Sequence, residues 1–156
     1  MKKGAGLLSI FPLVLIDQCT KAVARSALAN GDISLIPGVL ELHYLENDGM
    51  AFSLFSGKIW LFNIMTPILC AVILFCYLRL PSGKRYMPLH LSFVLLLSGA
   101  LGNYIDRLLR RSVTDFIYVS LIDFPVFNVA DIYVTMAMFA LVLLILFYYK
   151  DEEVLG

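Results

Sequence analysis

The chain has 156 residues, of which 60% are hydrophobic and 15% charged, with no net charge and a mean hydropathy of +0.85. A soluble globule of this size would need more polar surface than so few charges supply, which excludes an ordinary water-soluble domain. The bilayer is the natural solvent, provided that the apolar residues fall into spanning runs.

Lys2 and Lys3 followed by Leu7 to Ile16 resemble the front half of a secretory signal peptide. Asp17-Gln18-Cys19-Thr20-Lys21 then lacks the small-residue pattern that precedes cleavage. The segment is therefore read as a retained transmembrane helix over about 4–24, with polar residues near its far end. The connection 25–58 is long for a helical membrane protein. Leu40 to Leu45 alternates in part, as a half-buried strand does, between a Pro37-Gly38 turn and an Asn47-Asp48-Gly49 turn or bulge. Ile59 to Leu78 carries no charge, and about 20 such residues cross a ~30 Å hydrocarbon core. The second span is thus expected at 59–79. The short link Pro81 to Arg85 makes it an antiparallel neighbour of a third span at 88–108, built on the uncharged run Leu89 to Ile105. The connection 109–127 contains an extended Phe116-Ile117-Tyr118-Val119 and a turn from Asp123 to Pro125, before a fourth span at 128–149. The expected fold is a membrane α-helical protein: four transmembrane helices with a small sheet lying over the helix ends, in one domain covering 1–156.

Four spans put both termini on one side. The Lys/Arg count is a tie: Lys2, Lys3, Arg79, Lys84, Arg85 and Lys150 on the terminal side, Lys21, Arg25, Lys58, Arg107, Arg110 and Arg111 on the other. Lys21 and Arg107 belong to spans or span ends rather than loops, and the first helix carries most weight, so cytoplasmic termini are favoured. The cysteines show no metal or disulfide spacing; Cys70 and Cys76 lie mid-span.

Asp151, Glu152 and Glu153 fall on the terminal side, and the other nine of the 12 acids fall on the opposite side or near those span ends. Carboxylates at a span edge are costly unless paired, and they point to function, although interfacial solvation is the plain alternative. Asp17 and Lys21 are spaced i, i+4 in the favourable order for an ion pair, which reads as a structural pair anchoring the helix at the interface rather than as catalytic groups. Gly99, Gly102, Asn103, Asp106 and Arg107 recur at three- and four-residue spacings and fall on one helix face, where small residues permit close helix approach. Packing alone would also explain that stripe. Asn128 and Asp131 open the fourth span as i, i+3 neighbours, and Asn128 can cap the helix while Asp131 complements its dipole. If the third and fourth helices are antiparallel neighbours, the intervening connection brings Asp115 back towards Asp131. Two carboxylates so placed share a proton, and such a pair hydrolyses amides without metal or a nucleophilic side chain. There is no metal-ligand spacing, no GxSxG, and His43 and His90 fall on opposite sides.

Five blocks carry a family resemblance. Asp17 to Lys21, Asn47-Asp48-Gly49-Met50-Ala51-Phe52, Gly99 to Arg107, Val113-Thr114-Asp115-Phe116 and Phe127-Asn128-Val129-Ala130-Asp131 resemble, in this order, those of bacterial lipoprotein signal peptidase, or signal peptidase II. The resemblance implies four transmembrane helices with an extracytoplasmic β-cradle, and an aspartic endopeptidase whose catalytic pair is Asp115 and Asp131. It implies substrate-binding or supporting roles for Asn47, Gly49, Ala51, Asn103, Arg107, Asn128 and Ala130, with Asp17, Lys21 and Asp106 structural. It implies a diacylated prolipoprotein substrate cut just before its lipidated cysteine, inhibition by globomycin, and no cofactor or metal. The implied setting is the bacterial cytoplasmic (inner) membrane, with membrane lipid as a partner, no nucleic acid, a monomeric chain, and the active site on the extracytoplasmic side. Met50 departs from the smaller residue common between Gly49 and Ala51. Segment 32–57 is expected to wall the substrate, Gly49 by a backbone conformation or close approach that a Cβ would obstruct and Asn47 by hydrogen-bonding the peptide. The rival readings are a small carrier with intramembrane proton relays and an inactive assembly factor. Carriers place their acids nearer mid-span, and an assembly factor leaves the grouped acids unexplained.

Overall fold

The computed structural model describes residues 3–49 and 59–149. Among these described residues, four helices are long and apolar enough to cross a bilayer. In chain order the elements are α1 (Lys3–Ala27), β1 (Ile33–Ile36), β2 (Leu40–Asn47), α2 (Ile59–Arg79), α3 (Met87–Arg110), β3 (Val113–Tyr118) and α4 (Val129–Leu143), the last continued by a wider π-type turn over Leu144–Tyr148. Against the expected bounds, α1 runs three residues further, to Ala27, and α3 two residues further, to Arg110. Pro12 and Pro67 sit inside α1 and α2, a placement that membrane helices tolerate because neighbouring groups re-satisfy the freed backbone.

The lipid-facing sides are apolar in the manner of a protein solvated by hydrocarbon: Phe11, Ile68, Phe139 and Phe147 are all largely exposed. The most enclosed span is α3, because α1, α2 and α4 all pack on it. Its glycines explain how. A Cβ on Gly99 would strike the Ala130 carbonyl and the Val134 side chain, and one on Gly102 would lie 2.5 Å from Asp17 Oδ2. The glycine positions therefore let α4 and α1 come against α3 at near-backbone distance. At the end of the bundle that carries the termini, Tyr77, Leu80, Leu89, Val94 and Tyr149 form a separate apolar core.

At the opposite end lies a three-stranded antiparallel sheet in the order β1-β2-β3. Gly38, at φ 70°, turns β1 into β2, which places the turn where Pro37-Gly38 announced it. Strand β1 was not expected. Its four residues are all exposed, so it has no alternation of burial from which a strand could be read. Strand β3 starts at Val113 rather than Phe116, so Thr114 and Asp115 belong to it. Arg111 ends α3 in the left-handed conformation, its N–H on the Arg107 carbonyl, and this sharp stop sends the chain straight into the sheet. The register opposes Leu45 to Asp115 and Asn47 to Val113. Asn47 and Asp115 are thereby diagonal neighbours on one face.

Candidate active site

Three elements converge where the sheet meets the ends of α3 and α4. Strand β3 contributes Asp115, buried to 2% exposure, and the first turn of α4 contributes Asp131. Both line one cavity of about 490 Å³, together with Asn47, Gly49, Asn103 and Arg107 at its polar end. An apolar wall continues from it, made by Phe124 to Phe127 and by Ile132, Thr135 and Met136 of α4. Those last three share a stripe by their i, i+3, i+4 spacing. They were not singled out in the sequence, because in a span where nearly every residue is apolar such a stripe carries no contrast.

The two carboxylates are connected through asparagines. Asn128 is the N-cap of α4: its Oδ1 accepts the Asp131 N–H at 3.0 Å, and its own N–H donates to Asp131 Oδ2 at 3.0 Å, forming a reciprocal capping box. With its oxygen thus engaged, its amide nitrogen faces the other way and donates to Asp115 Oδ1 at 2.6 Å and to Asn103 Oδ1 at 3.1 Å. Asn103 is fixed by the same logic. Its oxygen also accepts from Lys21 Nζ at 2.8 Å, which turns its Nδ2 to Asp131 Oδ1, also at 2.8 Å. Asn47 repeats the pattern: its Oδ1 takes the Gly49 N–H at 3.0 Å and its Nδ2 donates to Asp115 Oδ2 at 2.9 Å. In each case an independent donor occupies the amide oxygen, so the N–H side must meet a carboxylate, which only accepts when ionised. Asn47 was expected to bind peptide; one of its N–H groups is instead committed to Asp115.

Behind this layer, Lys21 is wholly buried. It lies 2.9 Å from Asp17 Oδ2 and 3.3 Å from Asp106 Oδ2. Asp17 also accepts the Ala130 N–H at 2.9 Å, and Asp106 accepts the Thr114 N–H at 3.0 Å. The acid–base cluster therefore ties α1 to α3, to the start of α4 and to β3. It lies in the interior, so an interfacial anchor at the lipid boundary does not describe it. Ala130, expected beside the substrate, does not face the cavity. It has no exposed surface, because it is clamped where α4 crosses the two glycines of α3. Arg107 does face the cavity, its guanidinium 4.7 Å from the centre of the Phe62 ring. Ala51 and Met50 lie outside the described residues. Arg25, not expected to take part, donates to Thr114 Oγ1 at 2.9 Å and holds β3 beside the end of α1.

Burial pushes the Asp115 carboxyl up to about 6, and the neighbouring Asp131 charge adds to this, against the hydrogen bonds from Asn47 and Asn128. No group of three or more His, Cys, Asp or Glu among the described residues is placed to hold a metal ion. What the arrangement offers chemically is a pair of carboxyl groups in a partly enclosed cavity, each oxygen already accepting one hydrogen bond.

The model of the family described as signal peptidase (SPase) II matches residues 9–147. The lipoprotein signal peptidase of Streptococcus pyogenes serotype M5 (strain Manfredo) is 36% identical over 154 residues, 98% of each chain, and that of serotype M18 (strain MGAS8232) is equally similar. Two solved bacterial membrane enzyme structures, obtained by the in meso method, share the fold. The one at 2.3 Å resolution has a TM-score of 0.84 at 29% identity, covering 95% of this chain and 93% of its own. The one at 1.9 Å has a TM-score of 0.81 at 30% identity, covering 94% and 95%.

Proposed function

The chain belongs to the signal peptidase II family, and from that premise we propose that it is an aspartic endopeptidase acting through Asp115 and Asp131. Its substrate is a diacylglyceryl-modified prolipoprotein, cut just before the lipidated cysteine. The observation that carries the reading is the shared cavity: two carboxylates from different elements line it, held in fixed orientation by Asn47, Asn103 and Asn128.

The carboxyl pair lining this cavity shares one proton up to about pH 6, the value to which Asp115 is raised, because burial and the neighbouring Asp131 charge oppose the doubly charged state. The ionised member takes a proton from a water molecule as that water attacks the scissile carbonyl. The protonated member gives its proton to the carbonyl oxygen, and a tetrahedral diol results. Collapse of the diol reverses the roles: one carboxylate recovers a proton from a hydroxyl while the other protonates the leaving amine. Asn103 and Arg107 lie where they can support the developing charge. The apolar wall of Phe124 to Phe127 and α4 accepts the apolar part of the substrate while its acyl chains stay in lipid.

The setting that fits is a cytoplasmic (inner) membrane, termini in the cytoplasm, with the sheet and cavity on the extracytoplasmic side. The chain acts as a monomer, and globomycin occupies the same cavity. Asp115→Asn and Asp131→Asn variants that insert normally should each fail to process a diacylated prolipoprotein. Substantial turnover by either purified variant removes that residue from the pair.

A further inference from the structure

A second cavity, about 550 Å³, lies on the other side of α3 from the candidate active site, and its lining is almost entirely apolar. It exists because α1 and α2 both pack on α3 but scarcely on each other. The gap between them is floored by α3 at Leu97 and Leu101 and flanked by Leu7, Phe11 and Val14 of α1 and by Leu74 of α2. Leu7 to Val14 spans about 10 Å of helix axis, so the groove runs along the membrane normal as an acyl chain does. It is bounded towards the termini. There Lys3 Nζ donates to the Leu78 carbonyl at 2.6 Å, and the Tyr77 hydroxyl donates to the Lys3 carbonyl at 2.9 Å.

Charge accompanies this boundary. Lys3 lies one turn from Leu7 on the same helical face, and two of its three N–H donors remain beyond the bond to Leu78. Arg79, the residue after Leu78, is exposed with its guanidinium over Phe75. Neither cation forms an ion pair with another described residue. An apolar slot of lipid orientation, with two cations beyond its terminal end at the depth of the headgroups, matches one class of ligand. We propose that the α1–α2–α3 groove is a binding site for an anionic phospholipid, one acyl chain in the slot and the phosphate on Lys3 and Arg79. The lipid belongs to the leaflet on the terminal side and is separate from the peptide substrate. It supplies the packing that α1 and α2 do not give each other.

The test uses the full-length protein in vesicles. In a Trp60→Phe background, which removes the only tryptophan, Phe11→Trp places a fluorophore in the groove. Brominated phosphatidylglycerol, as a minor component, should quench it with an apparent association about fivefold or more tighter than the same fraction of brominated phosphatidylcholine, the effect expected of one basic side chain at an anionic headgroup. Lys3→Gln with Arg79→Gln should erase the difference. Phe139→Trp, on the lipid face of α4, should show none. Leu7→Trp provides the same reading if Phe11→Trp does not fold. Equal quenching by the two lipids at the groove overturns the proposal. So does quenching by neither, which would mean that the chain itself covers the slot.

Discussion

The side-chain amide nitrogen of Asn128 donates to Asp115 at 2.6 Å while the oxygen of the same amide caps α4. Its backbone N–H also holds the Asp131 carboxylate at 3.0 Å, so one residue ties a carboxylate on a strand to a carboxylate on a helix. The helix cap and the carboxyl pair are one structure. Perturbing either should disturb both, which makes the two effects separable only by choice of substituent.

Asn128→Ala removes the capping oxygen and the side-chain bonds to Asp115 and Asn103, and leaves only the backbone N–H on Asp131. A lost cap costs about 1 kcal/mol of stability, while displacement of the carboxylates should lower kcat roughly 10²-fold. Asn128→Asp keeps a good capping oxygen but sets a third carboxylate against Asp115. Thermal unfolding should show the Asp variant nearer wild type than the Ala variant, with cleavage lost in both. Wild-type turnover by either would detach Asn128 from the site.

Cleavage should decline as pH rises past about 6, the value to which burial and Asp131 lift Asp115, because the last shared proton is then lost. The decline should survive EDTA unchanged. The stability consequence has a definite sign. A carboxyl raised from about 4 to about 6 on folding binds more protons in the native state across that window, so its contribution falls as pH rises through it. Rate profiles and melting temperatures over the same pH series check both. Activity abolished by chelation and restored by zinc would defeat the carboxyl-pair mechanism.

Asn47→Ala deletes a hydrogen bond that favours the charged form of Asp115. The alkaline limb of the rate profile should therefore move to higher pH, with a smaller maximal rate. Gly49→Val leaves that bond's atoms in place but adds bulk at the cavity mouth, so it should raise KM without moving the limb. Both helical contents should match wild type by circular dichroism. Unchanged profiles in both variants would return 47–49 to the status of a tolerant surface loop.

Lys21→Met leaves Asp17 and Asp106 buried without their shared cation. Breaking a buried pair in this way costs about 3–5 kcal/mol, read as a large fall in melting temperature in detergent. Adding Asp17→Asn should recover part of it, because the amide oxygen can still accept the Ala130 N–H. Full stability of the single variant would show that the cluster is not the tie among α1, α3, α4 and β3 described above.

Gly102→Ala forces a Cβ to 2.5 Å from the Asp17 carboxylate, and overpacking of this kind costs about 1–3 kcal/mol. Gly4→Ala, where nothing lies within 4 Å, serves as the control and should be neutral. Equal melting temperatures would mean that α1 can draw away from α3 without penalty.

The four spans, the strand at Leu40 to Leu45, the small-residue stripe of α3 and the capping role of Asn128 were legible in the chain itself. Each depends on local composition or on a spacing of a few residues, and hydrocarbon solvent makes the span signal strong. The five motif blocks likewise carried the family. Strand β1 was not legible, since it exists by pairing with β2 and has no buried face of its own. The inward position of Ala130, the part played by Arg25 and the buried Lys21 between Asp17 and Asp106 were decided by tertiary structure alone. So was the amide orientation of Asn47, Asn103 and Asn128. Which way an amide turns depends on the donor that claims its oxygen, and for Asn103 that donor is Lys21, 82 residues away in sequence. Contacts across such distances follow from how closely α1 and α4 approach α3, a geometry that no local pattern encodes.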